Sequence, residues 1–237
     1  MKKFNLLAYV AIFAMVLTSV SCDSQKSVSL KTDVDSASFL IGSSWGKGLA
    51  TQLKTLPGEP ANIDAMIDGF AKAAKGDSVF LGMSDVDAQT YVNNYVQGAM
   101  TKASEVTLDE GRKFLEENKG KAGVITTETG LQYKVITEGT GEKPTSLEDT
   151  VLVHYTGKLL DGTVFDSSVD RGEPIKFALS QVIPGWSQGV LLMPKGSKYT
   201  MWIPSELAYG AQPAGQLIKA NSTLEFEVEL LDVIKKK

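Results

Sequence analysis

The sequence has few of the residues that most nucleophilic and metal sites require. It contains one cysteine, Cys22, and one histidine, His154, among its 237 residues. A single cysteine cannot form an intrachain disulfide, and the pair cannot supply the ligands of a Cys/His zinc site. No nucleophile-elbow serine lies near His154 and no oxyanion-loop motif is present, so a serine hydrolase is the weakest interpretation that we consider. Catalysis by a Cys/His zinc site is therefore excluded, and catalysis by a serine nucleophile is disfavoured.

The chain also lacks an excess of basic residues. Its 24 Lys and Arg residues are outnumbered by 28 Asp and Glu residues, which gives a formal net charge of −4. A mildly acidic surface argues against nucleic acid, because proteins bind it largely by neutralising phosphates. The hydrophobic content of 43% is ordinary for a globular protein, and the length suffices for one large domain or two small ones.

Long apolar runs are scarce, and the clearest one lies at the start of the chain. Lys2 and Lys3 precede the run from Phe4 to Val20, which stops just before Cys22. This order of charge, apolar segment and small residues is typical of a secretory signal. At roughly 17 residues the run is marginal for a membrane span, and polar rather than basic residues follow it. A transmembrane anchor is therefore the second interpretation.

The end of the signal resembles a bacterial lipoprotein cleavage box. The segment is Ser19-Val20-Ser21-Cys22, with Ser19 in place of the usual Leu. We predict that residues 1–22 are a signal peptide with a lipoprotein-type Cys and that residues 23–32 are a flexible linker. Lipid on Cys22 would anchor the exported protein to a bacterial membrane, on the periplasmic side or in the cell envelope, and would leave no Cys–His dyad.

Residues 33–120 carry apolar residues at helical spacing. Steps of three and four make one stripe, which consists of Ala37, Leu40, Ile41, Trp45, Leu49 and Leu53. This spacing predicts an all-helical region. Asn62 and Ser84 are expected to cap two further helices, and Thr107–Glu110 has the spacing of a capping box that begins another. Gly120 is the expected stop.

Two of the predicted helices have surfaces suited to helix association. The helix from about 84 to 104 repeats small and apolar residues at nearly heptad spacing, at Ala88, Val92, Tyr95, Ala99 and Ala103. Gly42, Gly46 and Gly48 leave part of the surface of the first helix without side chains, which allows another helix to approach closely. Because such thin helices cannot bury both faces alone, we predict that this region packs against a second copy and forms a homodimer. The alternative is a monomeric helical domain that folds back on itself.

From Leu131 onward the hydrophobic period changes to two. In the last strand-like segment three glutamates alternate with Leu224, Phe226, Val228 and Leu230. Such alternation predicts strands with one face in the core and one in solvent. Asp161-Gly162 predicts a tight hairpin turn, and one short helix is expected at about Trp186–Leu192. The predicted fold class is α+β, an N-terminal all-helical domain followed by an antiparallel β-sheet curled around one short helix.

Five short motifs follow one another in this C-terminal half. They are Val153-His-Tyr-Thr-Gly157, Asp161-Gly-Thr-Val-Phe-Asp-Ser-Ser168, Val182-Ile-Pro-Gly-Trp186, Ala208-Tyr-Gly210 and Thr223-Leu-Glu-Phe226. Together they resemble the FKBP-type peptidyl-prolyl cis-trans isomerase domain over about residues 125–234. Gly111–Asn118 and Thr129–Lys134 look like the Mip-like branch, secreted isomerases with a helical dimerisation domain. The resemblance implies a dimerisation domain with a long linker helix at 33–120 and an isomerase domain at 121–237.

The resemblance also implies which residues form the site. The catalytic positions would be Tyr155, Phe165, Asp166, Trp186, Tyr209 and Phe226, and the substrate-binding positions Arg171, Phe177, Val182, Ile183, Leu217 and Ile218. Trp186 would form the floor under a proline ring. Tyr209 and the backbone N–H of Ile183 would bind carbonyl groups of the substrate.

Asp166 would lie at the pocket wall, where Arg171 and Tyr155 are the expected partners that keep its charge from being buried unpaired. An aromatic residue on an alternating strand is often only part of the core. For Phe177 and Phe226, core and pocket therefore stay equal alternatives.

Other positions qualify the resemblance. His154 alternates away from the pocket side of its strand and is expected to be structural. Ile175 stands where many members of the family have an aromatic residue, and Lys219-Ala220 replaces a Pro-Pro or similar pair. Leu217 and Ile218 remain as rims of the pocket. These differences affect substrate preference and macrolide affinity, and leave the implied reaction type unchanged.

Rotation about a peptide bond breaks no covalent bond, so a site of this type needs no metal or cofactor. The resemblance implies isomerisation of X-Pro bonds in the folding of exported proteins, together with chaperone activity. The partners would be proline-containing unfolded polypeptides, a second copy through the N-terminal helices, and the membrane through the lipid. The alternative is a non-catalytic peptide-binding chaperone, or holdase, for which the methionines of the helical half are weak support because they are more often core.

Overall fold

The computed structural model describes three stretches of the chain, residues 28–54, 58–77 and 81–236. The predicted signal with its Cys22, and residues 23–27 of the predicted linker, lie outside the described residues. The chain divides into two compact units between Gln52 and Leu53. Within the described stretches, no helix combines the length and the apolar character that a bilayer crossing would need.

Helix α1 spans Asp33–Leu53 and forms the described part of the first unit. Its start has the geometry of a capping box. The Asp35 N–H donates to Thr32 Oγ1 at 3.1 Å, and the Thr32 N–H donates to Asp35 Oδ2 at 2.9 Å. The helix buries none of its residues, and the side chains of Leu40 and Ile41 are 66% and 53% exposed. The predicted helix therefore exists, and its Leu40 and Ile41 side chains are exposed.

The second unit begins with two helices, α2 at Ile63–Ala74 and α3 at Asp85–Asn118. Both predicted caps are confirmed. The side chains of Asn62 and Ser84 each accept a hydrogen bond from the backbone N–H three residues on, at 3.0 and 3.2 Å. Each cap satisfies a backbone N–H that has no partner inside its helix.

The predicted capping box at Thr107–Glu110 is wrong. Helix α3 runs through this segment without a break and is 34 residues long. The Thr107 hydroxyl donates to the Ala103 carbonyl at 3.0 Å, one turn earlier, instead of capping a new helix. No Gly or Pro occurs at residues 99–110, so nothing in the backbone ends the helical ladder there. The helix ends at Asn118, two residues before the predicted stop.

A seven-stranded antiparallel sheet follows the helices. Its strands are β1 Val124–Thr126, β2 Gln132–Thr137, β3 Thr150–Leu159, β4 Val164–Ser167, β5 Ile175–Ala178, β6 Lys198–Ile203 and β7 Leu224–Ile234. The order is β1-β2-β6-β7-β3-β4, and β5 pairs with β3. The apolar residues predicted to alternate in β7 are buried, and Gly162 forms the predicted turn with φ 87°. The α+β fold class is confirmed.

One short helix, α4 at Pro184–Leu191, packs against the sheet. It starts two residues before the predicted position, with proline in its first turn. Two glycines face the sheet. A methyl group at Gly185 would overlap Ile203, and one at Gly189 would overlap Met201. The absence of these side chains allows the helix to approach β6 closely.

The C-terminal half of α3 is joined to the sheet through buried amide groups. Gln132 Nε2 donates to the Leu115 carbonyl at 2.8 Å, and Asn118 Nδ2 donates to Gln132 Oε1 at 2.9 Å. A carbonyl only accepts, which fixes the orientation of both amides. Gln132 and Asn118 are 3% and 1% exposed. Asn118 Oδ1 is the one buried side-chain atom without a partner in the described part of the chain.

Two further contacts hold α3 on the sheet. Asn221 Nδ2 donates to Ser104 Oγ at 2.7 Å, and Gly111 lies so close to Thr223 that a methyl group at position 111 would overlap the threonine hydroxyl. Beside these contacts runs a groove of about 510 Å³, lined by α3 and by the first strands of the sheet. The second half of α3 and the sheet therefore share one packed surface.

Candidate functional site

Five aromatic rings from five elements meet on one side of the sheet. They are Tyr155 on β3, Phe165 on β4, Phe177 on β5, Trp186 on α4 and Phe226 on β7. The Trp186 ring centroid lies 6.0 Å from that of Tyr155, 5.6 Å from that of Phe177 and 6.4 Å from that of Phe226. All three contacts are edge-to-face, the arrangement that aromatic quadrupoles favour. Trp186 thus contacts three of the other four rings, and Phe165 joins the cluster through Phe226.

The rings differ in their burial. Trp186, Phe226 and Tyr155 are 3%, 6% and 7% exposed, whereas Phe165 and Phe177 are only partly buried and pack against them. The cluster is therefore continuous with the core at the indole and reaches the surface along its sides. Phe177 and Phe226 both pack against the core and also contact Trp186, so core and pocket stay alternatives for these two rings.

Gly157 makes room for two of these rings, and the sequence analysis did not assign it a role. It lies opposite Phe226 in the β3–β7 pairing and opposite Asp166 in the β3–β4 pairing. A methyl group at this position would stand 2.6 Å from Phe165 Cε2 and 2.8 Å from Phe226 Cε1. The signal that could have identified it is an isolated glycine inside a strand, which often marks a close approach.

A charged wall borders the rings. The Tyr155 hydroxyl and the Arg171 guanidinium both donate to the Asp166 carboxylate, one to each oxygen. Arg171 also lies 3.4 Å from the Tyr155 hydroxyl, and its guanidinium carbon is 5.9 Å from the Tyr155 ring centroid. The three residues form one closed set of contacts, and the carboxylate has the two partners expected from the sequence.

These contacts set the charge states of the wall. Partial burial alone would raise the pKa of Asp166, but the hydrogen bonds from Tyr155 and Arg171 outweigh it and hold that pKa below its ordinary value. Burial raises the pKa of the Tyr155 phenol, and the bond to Asp166 acts in the same direction. The hydrogen bond to Asp166 likewise raises the pKa of Arg171. At neutral pH the wall is therefore a carboxylate between a phenol and a guanidinium.

Val182 and Ile183 connect β5 to α4 and are partly buried against the core. Ile183 is the N-cap residue of α4, and its carbonyl accepts from the N–H groups of Trp186 and Ser187 at 3.0 and 3.2 Å. In the described part of the chain, the Ile183 N–H has no hydrogen-bond acceptor. The Ile183 N–H is therefore available to an acceptor outside the chain.

The remaining predicted positions, Tyr209, Leu217 and Ile218, lie in the segment between β6 and β7. Tyr209 and Leu217 are 43% and 46% exposed, and no ring contact joins Tyr209 to the cluster among the described residues. Ile218 is 8% exposed and belongs to the hydrophobic core. The two neighbours expected as rims therefore differ: the Leu217 side chain is open to solvent, and the Ile218 side chain is packed inside.

Other features lie away from this cluster. His154 Nδ1 is 3.2 Å from Ser168 Oγ, on the opposite side of β3 from the Tyr155 ring. Within the described stretches, no group of three or more His, Cys, Asp or Glu residues is placed to hold a metal ion. The groove beside α3 is lined by none of the twelve predicted site residues. The arrangement around Trp186 can enclose a small apolar ring and offer hydrogen bonds at its edge.

Two family models match the chain. The model described as FKBP-type peptidyl-prolyl cis-trans isomerase matches residues 141–231, and the model described as the domain amino terminal to FKBP-type peptidyl-prolyl isomerase matches residues 34–135. Together these matches cover most of the described chain.

Similar proteins and structures extend the match. An FKBP-type peptidyl-prolyl cis-trans isomerase FkpA from Aeromonas hydrophila is 42% identical over 213 residues, which are 86% of this chain and 78% of that protein. Outer membrane protein MIP from Legionella longbeachae is 37% identical over 236 residues, 97% of each chain. The crystal structure of FkpA from Escherichia coli is 36% identical, covers 87% of this chain and 99% of its own, and gives a TM-score of 0.69.

Proposed function

Because the chain belongs to the FKBP-type peptidyl-prolyl cis-trans isomerase family and is an enzyme of that class, we propose that the ring cluster around Trp186 is its active site. The observation that carries the proposal is the contact of three aromatic rings with Trp186, with the Asp166 wall beside them. A proline ring is small and apolar, and such a ring packs against an indole without losing hydrogen bonds to water.

The reaction requires rotation about the C–N bond and nothing else. Twisting a peptide bond costs about 18–20 kcal/mol because resonance is lost. Spontaneous X-Pro exchange consequently takes about 10–100 s at room temperature. A site accelerates the exchange when it binds the twisted amide better than the planar forms, by roughly tenfold for each 1.36 kcal/mol of preference.

Each part of the cluster has a role in that preference. The planar amide is more dipolar than the twisted one, so an apolar surround of rings favours the twisted state relative to water. The Ile183 N–H binds a substrate carbonyl and fixes the peptide, and the Tyr209 hydroxyl binds another. Asp166 acts through its charge and dipole on the twisted amide, because it is ionised at neutral pH and the hydrogen bonds from Tyr155 and Arg171 hold its pKa below the ordinary value.

An isomerisation assay with a matched tryptophan control tests the site. Trp186→Leu should lower kcat/KM for cis-to-trans conversion of a short X-Pro peptide by at least about tenfold. Trp202→Leu is the control, because Trp202 is also nearly buried but donates its indole N–H to Glu225 at 2.8 Å and contacts none of the five rings. Equal effects of the two substitutions, or no acceleration by the wild type, would contradict the proposed site.

We also propose that the protein is exported and carries lipid on Cys22. The support is the charged and apolar start of the sequence, the lipoprotein-like box before Cys22, and the name of the Legionella relative as an outer membrane protein. The mass of the protein extracted from membranes should correspond to a chain that begins at Cys22 with attached acyl groups. Cys22→Ser should release the chain from the membrane fraction. An unprocessed mass at the membrane would favour the transmembrane anchor instead.

A homodimer through the N-terminal helices is a further part of the proposed function. Each helix has apolar side chains that the single chain leaves exposed: Leu40 at 66%, Ile67 at 52% and Val92 at 52%. The match of residues 34–135 to the domain that precedes such isomerases supports the proposal. Leu40→Asp should convert dimers to monomers in sedimentation, whereas Ser38→Asp, a charge at an exposed polar position of the same helix, should not. A wild-type monomer would contradict the dimer.

We propose chaperone activity for the helical half, as an addition to isomerisation. Apolar side chains that the proposed dimer leaves uncovered, in a cleft between its helices, would be the surface that unfolded polypeptides bind. A chain of residues 101–237 keeps the docked half of α3, so it tests this division without exposing the sheet. It should isomerise a short peptide as the full chain does and lose the suppression of aggregation. If it suppresses aggregation fully, the holding surface lies in the isomerase domain.

A further inference from the structure

Ser168 holds both backbone groups of Tyr155. The Ser168 N–H donates to the Tyr155 carbonyl at 3.0 Å, and the Tyr155 N–H donates to Ser168 Oγ at 2.8 Å. The Ser168 side chain is 0% exposed. A buried backbone N–H needs a partner, and here a side chain supplies it in place of a strand carbonyl. The position of Tyr155 is therefore tied to one hydroxyl group.

The same residue fixes the segment that carries the rest of the charged wall. Strand β4 ends at Ser167, so Ser168 lies just beyond the ladder that holds Asp166. After it the chain turns: the Gly172 N–H donates to the Val169 carbonyl at 2.9 Å, and the Glu173 N–H to the Ser168 carbonyl at 3.3 Å. This turn carries the Arg171 guanidinium back towards the carboxylate.

The hydroxyl group of Ser168 has a full set of partners. One hydroxyl can donate once and accept twice. Ser168 Oγ accepts from the Tyr155 N–H, and it lies 3.2 Å from His154 Nδ1 and 3.4 Å from the Tyr155 carbonyl, either of which can take its proton. A buried hydroxyl with contacts on three sides is restricted to one rotamer. The link between β3 and the segment 166–171 is therefore rigid.

We infer that Ser168 is a positioning residue of the isomerase, which holds the Tyr155 hydroxyl, the Asp166 carboxylate and the Arg171 guanidinium at contact distance. The inference rests on the proposed function of that wall. Ser168 does not touch the rings or the substrate side of the cluster in any described contact, and it acts through the backbone of Tyr155 and through the turn. Without its hydroxyl, the β3–β4 pairing and the Ser168 N–H to Tyr155 carbonyl bond still join the two strands, but the Tyr155 N–H loses its partner beside the wall.

Two measurements on Ser168→Ala test the inference. The variant should lower kcat/KM for an X-Pro peptide by about tenfold, because a small misplacement of the wall removes its effect on the twisted amide. The Asp166 carboxyl, followed by carbon-13 NMR, should titrate at higher pH than in the wild type, because the bonds from Tyr155 and Arg171 weaken. A loss of global stability alone moves neither quantity below the melting temperature.

Ser197→Ala is the matched control. Ser197 is also 0% exposed, and its Oγ also accepts from a backbone N–H, that of Gly139, at 2.9 Å. Its loss should lower the melting temperature and leave both kcat/KM and the Asp166 titration at wild-type values. Should Ser168→Ala fail to fold, Ser168→Cys fills the same space with a weaker acceptor and should show the same changes to a smaller degree.

The outcomes separate this inference from the proposed site. Wild-type titration and activity in Ser168→Ala, or in Ser168→Cys where only that variant folds, would overturn the positioning role. Equal losses of activity in Ser168→Ala and Ser197→Ala would also overturn it. An inactive wild type, or full activity of Trp186→Leu, would instead refute the active site itself.

Discussion

Gly157 on β3 lies directly opposite Phe226 on β7, and the volume that a side chain at position 157 would need is filled by the Phe226 and Phe165 rings. Those two rings are 5.5 Å apart and edge-to-face. The glycine therefore determines where the two phenyl rings of the cluster lie, although it offers no chemical group of its own.

The first prediction concerns this glycine. Gly157→Ala should lower kcat/KM by about tenfold or more, because the new methyl group pushes the rings into the space for the proline. Gly120→Ala is the control, since a methyl group there makes only an ordinary contact at 3.6 Å from the Glu117 carbonyl. Peptide isomerisation and thermal unfolding check both variants. Wild-type activity in Gly157→Ala would show that the cluster adapts without cost to the site.

Acid should affect the isomerase through protonation of the Asp166 carboxylate. The folded protein lowers the pKa of Asp166 below its ordinary value, so the wall's contribution to stability is complete above about pH 3.9 and is lost as the pH falls through the folded value. Isomerase activity should therefore stay constant from pH 8 down to about pH 5. In Arg171→Met the carboxylate loses a cationic partner, and the activity should begin to fall at a higher pH than in the wild type. Coincident pH profiles would contradict the assigned contacts.

Alkali should destabilise the fold through deprotonation of the Tyr199 hydroxyl. The Tyr199 hydroxyl donates to Glu138 Oε2 at 2.9 Å, and burial together with this bond raises the pKa of Tyr199 to about 12. An unfolded chain holds the same proton with a pKa of about 10, so stability from this site is complete below pH 10 and is lost between about pH 10 and 12. Denaturant unfolding should become easier across that window, and Tyr199→Phe should weaken the dependence.

The control for the alkaline prediction is Tyr133→Phe. The Tyr133 ring stacks on Tyr199 at 5.6 Å, and this substitution removes the neighbouring hydroxyl while it keeps both the ring and the Glu138 bond. Because Tyr133 contributes less to the raised pKa of Tyr199 than burial and Glu138 do, Tyr133→Phe should change the dependence on pH less than Tyr199→Phe does. Identical alkaline profiles for Tyr199→Phe and the wild type would show that the Tyr199 proton does not stabilise the fold.

The fourth prediction concerns the docked half of α3. A chain of residues 121–237 loses the two hydrogen bonds between Gln132 and the helix, each worth about 0.5–1.5 kcal/mol net, and exposes the surface of the sheet that the helix covers. The chain of residues 101–237 keeps them. Urea unfolding should therefore show a higher midpoint for the longer chain. Equal midpoints would mean that the helix adds no stability to the sheet.

Local patterns in the sequence were sufficient to predict much of this fold. Alternation identified the core face of β7, and Asp161-Gly162 identified the hairpin turn, because both depend on neighbouring residues only. Asn62 and Ser84 were identified as caps for the same reason. The capping-box spacing at Thr107–Glu110 failed, because a cap forms only where the preceding backbone leaves the helix.

The candidate site was predictable as a set of residue types and less so as a geometry. The resemblance supplied the five rings and the charged wall, and the structure brings these together. It did not supply Gly157, whose role depends on the strand opposite it, or Ser168, whose hydroxyl meets Tyr155 across 13 residues of chain. It also did not distinguish Ile218 from Leu217, because the direction of adjacent side chains in an irregular loop follows from tertiary packing.

The closeness of α4 to the sheet has a consequence for how this protein can change. Gly185 and Gly189 allow the helix backbone to rest on Ile203 and Met201, and the depth of the indole below the surface follows from that distance. Larger residues at the two glycines would move the helix, and Trp186 with it, away from β6. Substitutions on the sheet-facing side of α4 can therefore change the volume available to a bound side chain, although these positions do not contact the ligand.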